Sequence, residues 1–259
     1  VSTKQDIAKT PTSSTEAYEY YLRAKYIHDK REDMKDTEIA RGLLKKAIEL
    51  DDNLLIAKNV LANTYSYTGD YDKAMEIYLE NLKKAEEIGD KHWMGGSLNN
   101  IGIVHHDKGD LDTALDYYNR SLAIREELGD KYGMGYSLNN IGMVHTNKGD
   151  YKKAFSHLQK AVNLQKEIGA LELETITLFA LANKNIGKEY DVKQIHALIK
   201  DAENIEFEIN LRLYELLEDK SFLETAYNQV QEKADAMENE LAKKFLSYPI
   251  PKAIVEEWE

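Results

Sequence analysis

The feature that most constrains this chain is a self-similarity at a fixed offset of forty residues. Met94-Gly95, Ser97-Leu98-Asn99-Asn100-Ile101-Gly102, Val104-His105 and Lys108-Gly109-Asp110 form one copy. The same string returns as Met134-Gly135, Ser137-Leu138-Asn139-Asn140-Ile141-Gly142, Val144-His145 and Lys148-Gly149-Asp150. A weaker copy lies upstream, where Gly69-Asp70-Tyr71 matches Gly109-Asp110-Leu111 and Ala74 matches Ala114 and Ala154. A period between about 20 and 50 residues means stacked supersecondary units, each unable to bury its apolar face alone. Within each copy, two runs with helical apolar spacing flank a Gly-Asp dipeptide. Gly ends a helix by turning left-handed, and Asp caps the helix that follows.

Composition excludes several function classes. The chain has no Cys, so disulfides, thiolate metal sites and thiol catalysis are excluded, and a reducing, cytoplasmic setting is expected. A net charge of -12 argues against nucleic acid as a partner, because phosphate binding needs a basic face. No apolar run approaches the roughly 18–20 residues that span a bilayer, so no membrane insertion is expected. The chain opens on Val1 and not on Met, which points to a piece of a longer protein.

Three regions follow from a pass along the chain. Residues 1–15 read as a disordered lead-in, polar and carrying Pro11. Residues 16–203 read as an array of helix pairs. The expected pairs are Glu16–His28 with Thr37–Leu50, Leu54–Tyr67 with Tyr71–Ile88, and Lys91–Lys108 with Leu111–Leu128. Lys131–Lys148 with Tyr151–Ile168 and Leu171–Ile186 with Asp191–Glu203 complete them. Residues 204–259 read as a last pair and a cap. There Glu206–Leu217 precedes one long helix over Ser221–Leu246, Pro249-Ile250-Pro251 breaks the chain, and Lys252–Glu259 closes it. Phe222, Leu223, Tyr227, Phe245 and Trp258 suit the covering of an end that has no next repeat.

Small residues fall where paired helices must approach. Gly142 faces a helix carrying Ala154 and Ala161, and Ala114 and Ser121 hold the same places one repeat earlier. Leu98, Ile101, Tyr118, Leu122 and Ile124 fill the layers between. This pattern, with Gly-Asp-Tyr at the turn and Ala seven residues apart on the second helix, resembles the tetratricopeptide repeat in its forty-residue version, as in kinesin light chains. The tail Phe245-Leu246, Pro249-Ile250-Pro251 and Ile254 to Trp258 resembles the closing helices of long bacterial arrays of this kind. The opening Glu16-Ala17-Tyr18-Glu19-Tyr20-Tyr21-Leu22-Arg23 resembles the start of such arrays in bacterial signalling proteins. The resemblance implies an all-α, right-handed α-solenoid of antiparallel helix pairs with a C-terminal cap.

Catalytic signals are poor, and no enzyme is expected. Gly133-Met134-Gly135 lacks the third Gly and the preceding strand of a dinucleotide loop. Asn185-Ile186-Gly187-Lys188 lacks the upstream Gly and the hydroxyl residue of a phosphate loop. No metal or cofactor is expected. His105 and His145 share one repeat position and read as packing residues.

In the family resembled, the first helix of each pair lines the inner surface. Projection onto that surface gives Asn59, Asn63, Tyr67, Asn99, Asn100 and Ile103 in the earlier repeats. It gives His106, Asn139, Asn140, Met143 and Asn147 in the later ones, with Asp107 and Thr146 beside them. An Asn amide both donates to and accepts from an extended peptide backbone. Asn is a mediocre helix former, so Asn pairs inside helices call for a purpose. Either they hold a peptide or they brace neighbouring helices, and a division of labour within each pair would serve both. The family's clamp for a peptide's terminal carboxylate needs Lys and Arg where this chain has Asn59, Tyr136 and Asn140, so that variant is not expected. The expectation is a scaffold that binds a protein or peptide in the inner groove. Two alternatives stand beside it: a regulatory or sensor segment of a larger bacterial signalling protein, and self-association into a homo-oligomer through the array ends.

Overall fold

The computed structural model describes residues 12–31, 34–202 and 204–259, among which there are 14 α-helices and no strand. The described helices divide into two bodies, one up to Trp93 and one from Met94 to Glu259. The lead-in expected through residue 15 lies outside the described residues as far as residue 11. From Thr12 on the chain is anchored: the Thr12 hydroxyl donates to the Asp51 carboxylate, and Ser14 Oγ accepts from the Ala17 N–H at 3.2 Å.

The first body holds α1 (Thr15–Lys30), α2 (Met34–Leu50), α3 (Leu55–Tyr67) and α4 (Tyr71–Ile88). α1 packs on α2, α2 on α3, and α3 on α4. Tyr21, Leu44, Leu54 and Leu61 form the core of the first three, with Ala17, Ala24, Ala47 and Ala57 letting the helices close up. Arg41 ties α2 to α3 from inside: Nε donates to Thr64 Oγ1 at 3.0 Å and Nη2 to the Thr64 carbonyl at 2.7 Å. That buried cation is tolerated because its donors are used.

The second body begins within α5 (Lys91–Asp107) and continues through α6 (Leu111–Leu128), α7 (Lys131–Asn147) and α8 (Tyr151–Glu167). α9 (Leu173–Asn185), α10 (Val192–Asp201), α11 (Phe207–Leu217) and α12 (Lys220–Asp235) follow, then α13 (Asn239–Leu246) and α14 (Pro249–Trp258). Each helix packs on its sequence neighbour in the pairs α7–α8 and α11–α12, and α9 packs on both α7 and α11. The first helices of successive pairs therefore lie side by side. α6 ends at Gly129 with φ +64°, the left-handed turn that the Gly-Asp pattern predicts. At the end of α11 Glu218 does the same at φ +57°, a conformation costly for a residue with a Cβ.

The small-residue reading holds at atomic scale. A Cβ on Gly142 would sit 2.4 Å from Leu158 Cγ, and one on Gly102 would sit 2.6 Å from Tyr118 Cε1. Ala114, Ser121, Ala154 and Ala161 are fully buried. Ser121 also bonds across the packing, its Oγ donating to the Gly95 carbonyl at 2.8 Å and lying 3.1 Å from Ser137 Oγ.

Two expectations about the tail are corrected. The single helix expected over Ser221–Leu246 is two helices, α12 and α13, separated by a turn at 236–238. α11 has 11 residues, about 16 Å at 1.5 Å per residue, so a helix more than twice as long would outrun its partner. The turn instead brings Phe245 edge-on to Phe207, with ring centroids 6.3 Å apart, and Phe245 is fully buried. Pro249-Ile250-Pro251 does not precede the last helix but forms its first turn. A helix has no use for the N–H that Pro lacks at that position, and Tyr248 before it is extended, as a pre-proline residue prefers. Trp258 stacks on Tyr227 at 5.3 Å and stays 41% exposed, while Ile254 and Leu223 bury. Among the described residues no helix is long and apolar enough to cross a membrane.

Two glycine substitutions separate packing from propensity. Gly142→Ala should destabilise by about 1–3 kcal/mol through overpacking against Leu158. Gly42→Ala, inside α2 with nothing within 4 Å of the new Cβ, should stabilise by about 1 kcal/mol. Thermal melts of the two variants should move in opposite directions.

Candidate binding face

The inner row of the second body is made by α5, α7, α9 and α11. Its polar side chains bond from helix to helix. Asn140 Nδ2 donates to Asn99 Oδ1 at 3.1 Å, linking two copies of the repeat. Asn147 Nδ2 lies 2.7 Å from His106 Nε2, and His106 Nδ1 lies 3.1 Å from Asp107 Oδ1. With the amide donating to Nε2, the ring carries its proton on Nδ1 and gives it to Asp107. A second proton on His106 requires the Asn147 amide to present its oxygen instead. Burial opposes that charge, but the bond to Asp107 and the fields of Asp107 and Glu208 outweigh it and raise the imidazole's pKa.

The predicted groove residues therefore divide. Asn139, Asn140, His106 and Met143 are buried, whereas Asn99, Asn100 and Ile103 are half-buried and Asn147 is exposed. Asn139 is 1% exposed and its Oδ1 has no hydrogen-bond partner. In the first body, Asn63 Oδ1 accepts from the Tyr78 hydroxyl at 2.5 Å, and the Arg31 guanidinium lies 3.9 Å over the Tyr67 ring. Asn59 is half-buried. Tyr136 donates its hydroxyl to Glu172, and burial followed by that bond raises its pKa.

Sequence reasoning missed the part of this face that follows Gly169. A cavity of about 160 Å3 lies between α7, α9, α11 and α14. Met143, Leu178, Leu181, Leu211 and Ile250 form its apolar wall. Thr146, Asn147, Tyr151, Glu208, Arg212 and Glu215 supply its polar groups. Arg212 is 8% exposed. Its Nε donates to the Glu208 carbonyl at 3.1 Å, and its Nη2 lies 3.7 Å from Glu174 and 3.8 Å from Glu208. Its Nη1 has no hydrogen-bond partner. Burial, reinforced by Asp107 and offset by Arg212 and His106, pushes the Glu208 carboxyl up to about 7. α14 closes the cavity from the far side. Ile250 enters it, and the neighbouring Pro249 ring rests on the α5–α6 turn, where a Cβ on Gly109 would lie 2.8 Å from Pro249 Cγ. A signal for this region did exist, because Leu178 and Leu181 on α9 and Leu211 on α11 continue the inner-helix register. It is obscured by the loss of the forty-residue period.

Helix pairs stacked through their first helices, with a cavity on the row those helices form, define a helical-repeat scaffold of the kind that presents binding surfaces. Residues 53–127 and 135–168 match two family profiles, each described as tetratricopeptide repeat, and the chain carries tetratricopeptide repeats there. Three of the solved structures that share the fold follow. A Rap protein complexed with Competence and Sporulation Factor has a TM-score of 0.63 at 18% identity, over 95% of this chain and 77% of that one. Aspartyl phosphate phosphatase F from Bacillus subtilis has a TM-score of 0.61 at 15% identity, over 93% of this chain and 59% of that one. A signal transduction ATPase with a tetratricopeptide repeat sensor from Pyrococcus horikoshii has a TM-score of 0.53 at 16% identity. It is covered over 37% of its length by 96% of this chain. No curated protein matches the chain.

The raised Glu208 carboxyl has a consequence for stability. A carboxyl whose folded pKa exceeds its unfolded value binds its proton more tightly when folded. Its contribution is therefore present below the unfolded value, near 4.5, and is lost as pH rises through about 7. Glu208→Gln mimics the protonated form at every pH. Its melting temperature should exceed that of the natural chain at pH 8, and the gap should close towards pH 5 in paired thermal melts.

Proposed function

We propose that this chain binds a peptide, or an extended segment of a protein, on the inner face of its second body and performs no chemistry on it. The observation that carries this reading is the cavity between α7, α9, α11 and α14, where the apolar wall of Met143, Leu178, Leu181, Leu211 and Ile250 stands beside the polar side chains of Thr146, Asn147, Glu208 and Arg212. A mostly apolar recess with a few fixed polar groups is the usual form of a site that orients one ligand. The half-buried Asn99 and Asn100 and the exposed Asn147 extend polar groups along the same row for a backbone to use. The structural likeness to a Rap protein complexed with Competence and Sporulation Factor supports the same reading.

A second reading keeps this face and gives it a regulatory purpose inside a larger protein. Its support is the likeness to an ATPase that carries a tetratricopeptide repeat sensor, of which this chain spans 37%.

A random library of short peptides, offered to the chain and read by mass spectrometry of the retained fraction, tests the binding reading. The natural chain should retain a sequence-biased subset. Leu181→Arg, at a half-buried wall position, should reduce that retention by about tenfold, equivalent to about 1.4 kcal/mol, at a temperature where the variant's circular dichroism still matches the natural chain's. An unchanged retained set in the variant would move binding off this face, and no retention by the natural chain would end the peptide reading.

A further inference from the structure

The α5–α6 turn carries a contact that the repeat does not ask for. Gly109 and Gly149 hold the same place in successive repeats, with φ +84° and +75°. A Cβ on Gly149 would meet nothing within 4 Å. A Cβ on Gly109 would lie 2.8 Å from Pro249 Cγ and 3.5 Å from Pro249 Cδ. The packing of helix pairs leaves this position open, and α14 comes to it from outside the forty-residue register. Its next residue does the same at the cavity. Met143, Leu178, Leu181 and Leu211 belong to the inner helices α7, α9 and α11, whereas Ile250 belongs to α14. With Ile250 at the cavity and Pro249 on the α5–α6 turn, the first turn of α14 reaches from the cavity to the end of α5. A peptide that follows the inner row from Asn99 and Asn100 into the cavity meets that crossing.

α14 is held unequally along its length. Its packing partners are α12 and α13. Towards its far end Ile254 is fully buried, Trp258 stacks on Tyr227 at 5.3 Å, and the Tyr214 hydroxyl donates to Glu257 at 3.0 Å. At the groove, Pro249 is exposed and Ile250 is half-buried, with the buried Tyr248 and Pro251 on either side as anchors. Few buried contacts mark a segment that opens locally while the rest stays folded. Backbone bonding resists this opening little. Pro249 and Pro251 have no N–H, and the N–H of Ile250 lies in the first turn, where a helix supplies no partner.

We propose that Pro249 and Ile250 form an autoinhibitory strap: Ile250 takes the place of a ligand's apolar side chain, and a peptide must displace it to lie on the inner face. This rests on the peptide-binding reading and adds its control. Ligand and strap compete for one wall, so the apparent affinity is the intrinsic affinity reduced by the fraction of time the strap is open. Occupancy is reported in turn on α14, whose first turn leaves Gly109 whenever ligand is bound.

Gly109→Ala and Gly149→Ala form a matched pair for the test. Each forces a residue with a Cβ into the left-handed region at a similar cost. Gly109→Ala alone also drives that Cβ into the Pro249 ring, which has no rotamer to swing aside, so the strap itself must shift. These two variants, Ile250→Ala and the natural chain are offered one random pool of short peptides, at a temperature where the circular dichroism of all four matches. Retained peptide is quantified by mass spectrometry. Gly109→Ala and Ile250→Ala should each retain about fivefold more than the natural chain, as for a strap open about one fifth of the time. Gly149→Ala should retain as much as the natural chain. Equal retention by all four overturns the strap and leaves the peptide face standing. Lower retention by Ile250→Ala overturns it by making Ile250 part of the wall that the ligand needs. Equal gains at both glycines overturn it by tracing the gain to backbone strain. Retention by none of the four overturns both readings.

Discussion

The architecture depends on how closely the two helices of a pair approach each other. At Gly102 and Gly142 the partner helix stands where a Cβ would otherwise be, against Tyr118 and Leu158. Both of those large side chains are fully buried, so the glycines are the holes into which they fit. This contact sets the distance between the first and second helix in the pairs α5–α6 and α7–α8. It thereby sets where the first helices stand in the row they make with their neighbours. The inner face depends on that spacing: α7, held closely against α8, stands beside α9, and α9 beside α11, where the cavity lies.

The interior of this face is polar to a degree that an apolar core would not need. Asn140 on Asn99, Asn147 on His106, and the Arg212 guanidinium beside Glu174 all link successive inner helices. Packing alone tolerates a helix that slides or rolls by a fraction of a turn, whereas a bond between amides at a fixed repeat position does not. Such networks carry a risk, because in a low-dielectric setting each unmatched group is expensive. Arg212 Nη1 and Asn139 Oδ1 are among the groups left in that state.

Much of the fold was legible because the repeat wrote the same physical requirement twice. Turn glycines, capping Asp residues and small packing positions were readable at Gly69 to Gly169 from their recurrence alone. The tail was less legible. A proline pair reads as a break wherever it stands, and only the extended Tyr248 before it shows that Pro249 begins a helix. The division of α12 from α13 depends on the length of α11, a tertiary fact with no local marker. The inner face was half legible. The Asn residues fall on α3, α5 and α7, yet whether an amide points at a ligand or at the next helix depends on the rotation between repeats. Glu208, Arg212 and Ile250 were out of reach, because they come to the cavity from segments that had lost the period and nothing local links them.

Gly109 and Pro249 are far apart in sequence, yet they are in contact. In a simple repeat array every unit touches only its neighbours, so stability is a sum of local terms and either end can fray alone. A clasp between a turn in the first pair of a body and the start of its last helix breaks that rule. Loop-closure entropy grows only slowly with length, so joining distant points is not much harder than joining near ones. The second body then gains a long-range contact that slows its folding and makes its unfolding more nearly all-or-none than that of an open array. During synthesis the turn at Gly109 leaves the ribosome long before α14 exists, so the earliest repeat of this body waits for the latest helix before its own packing is complete.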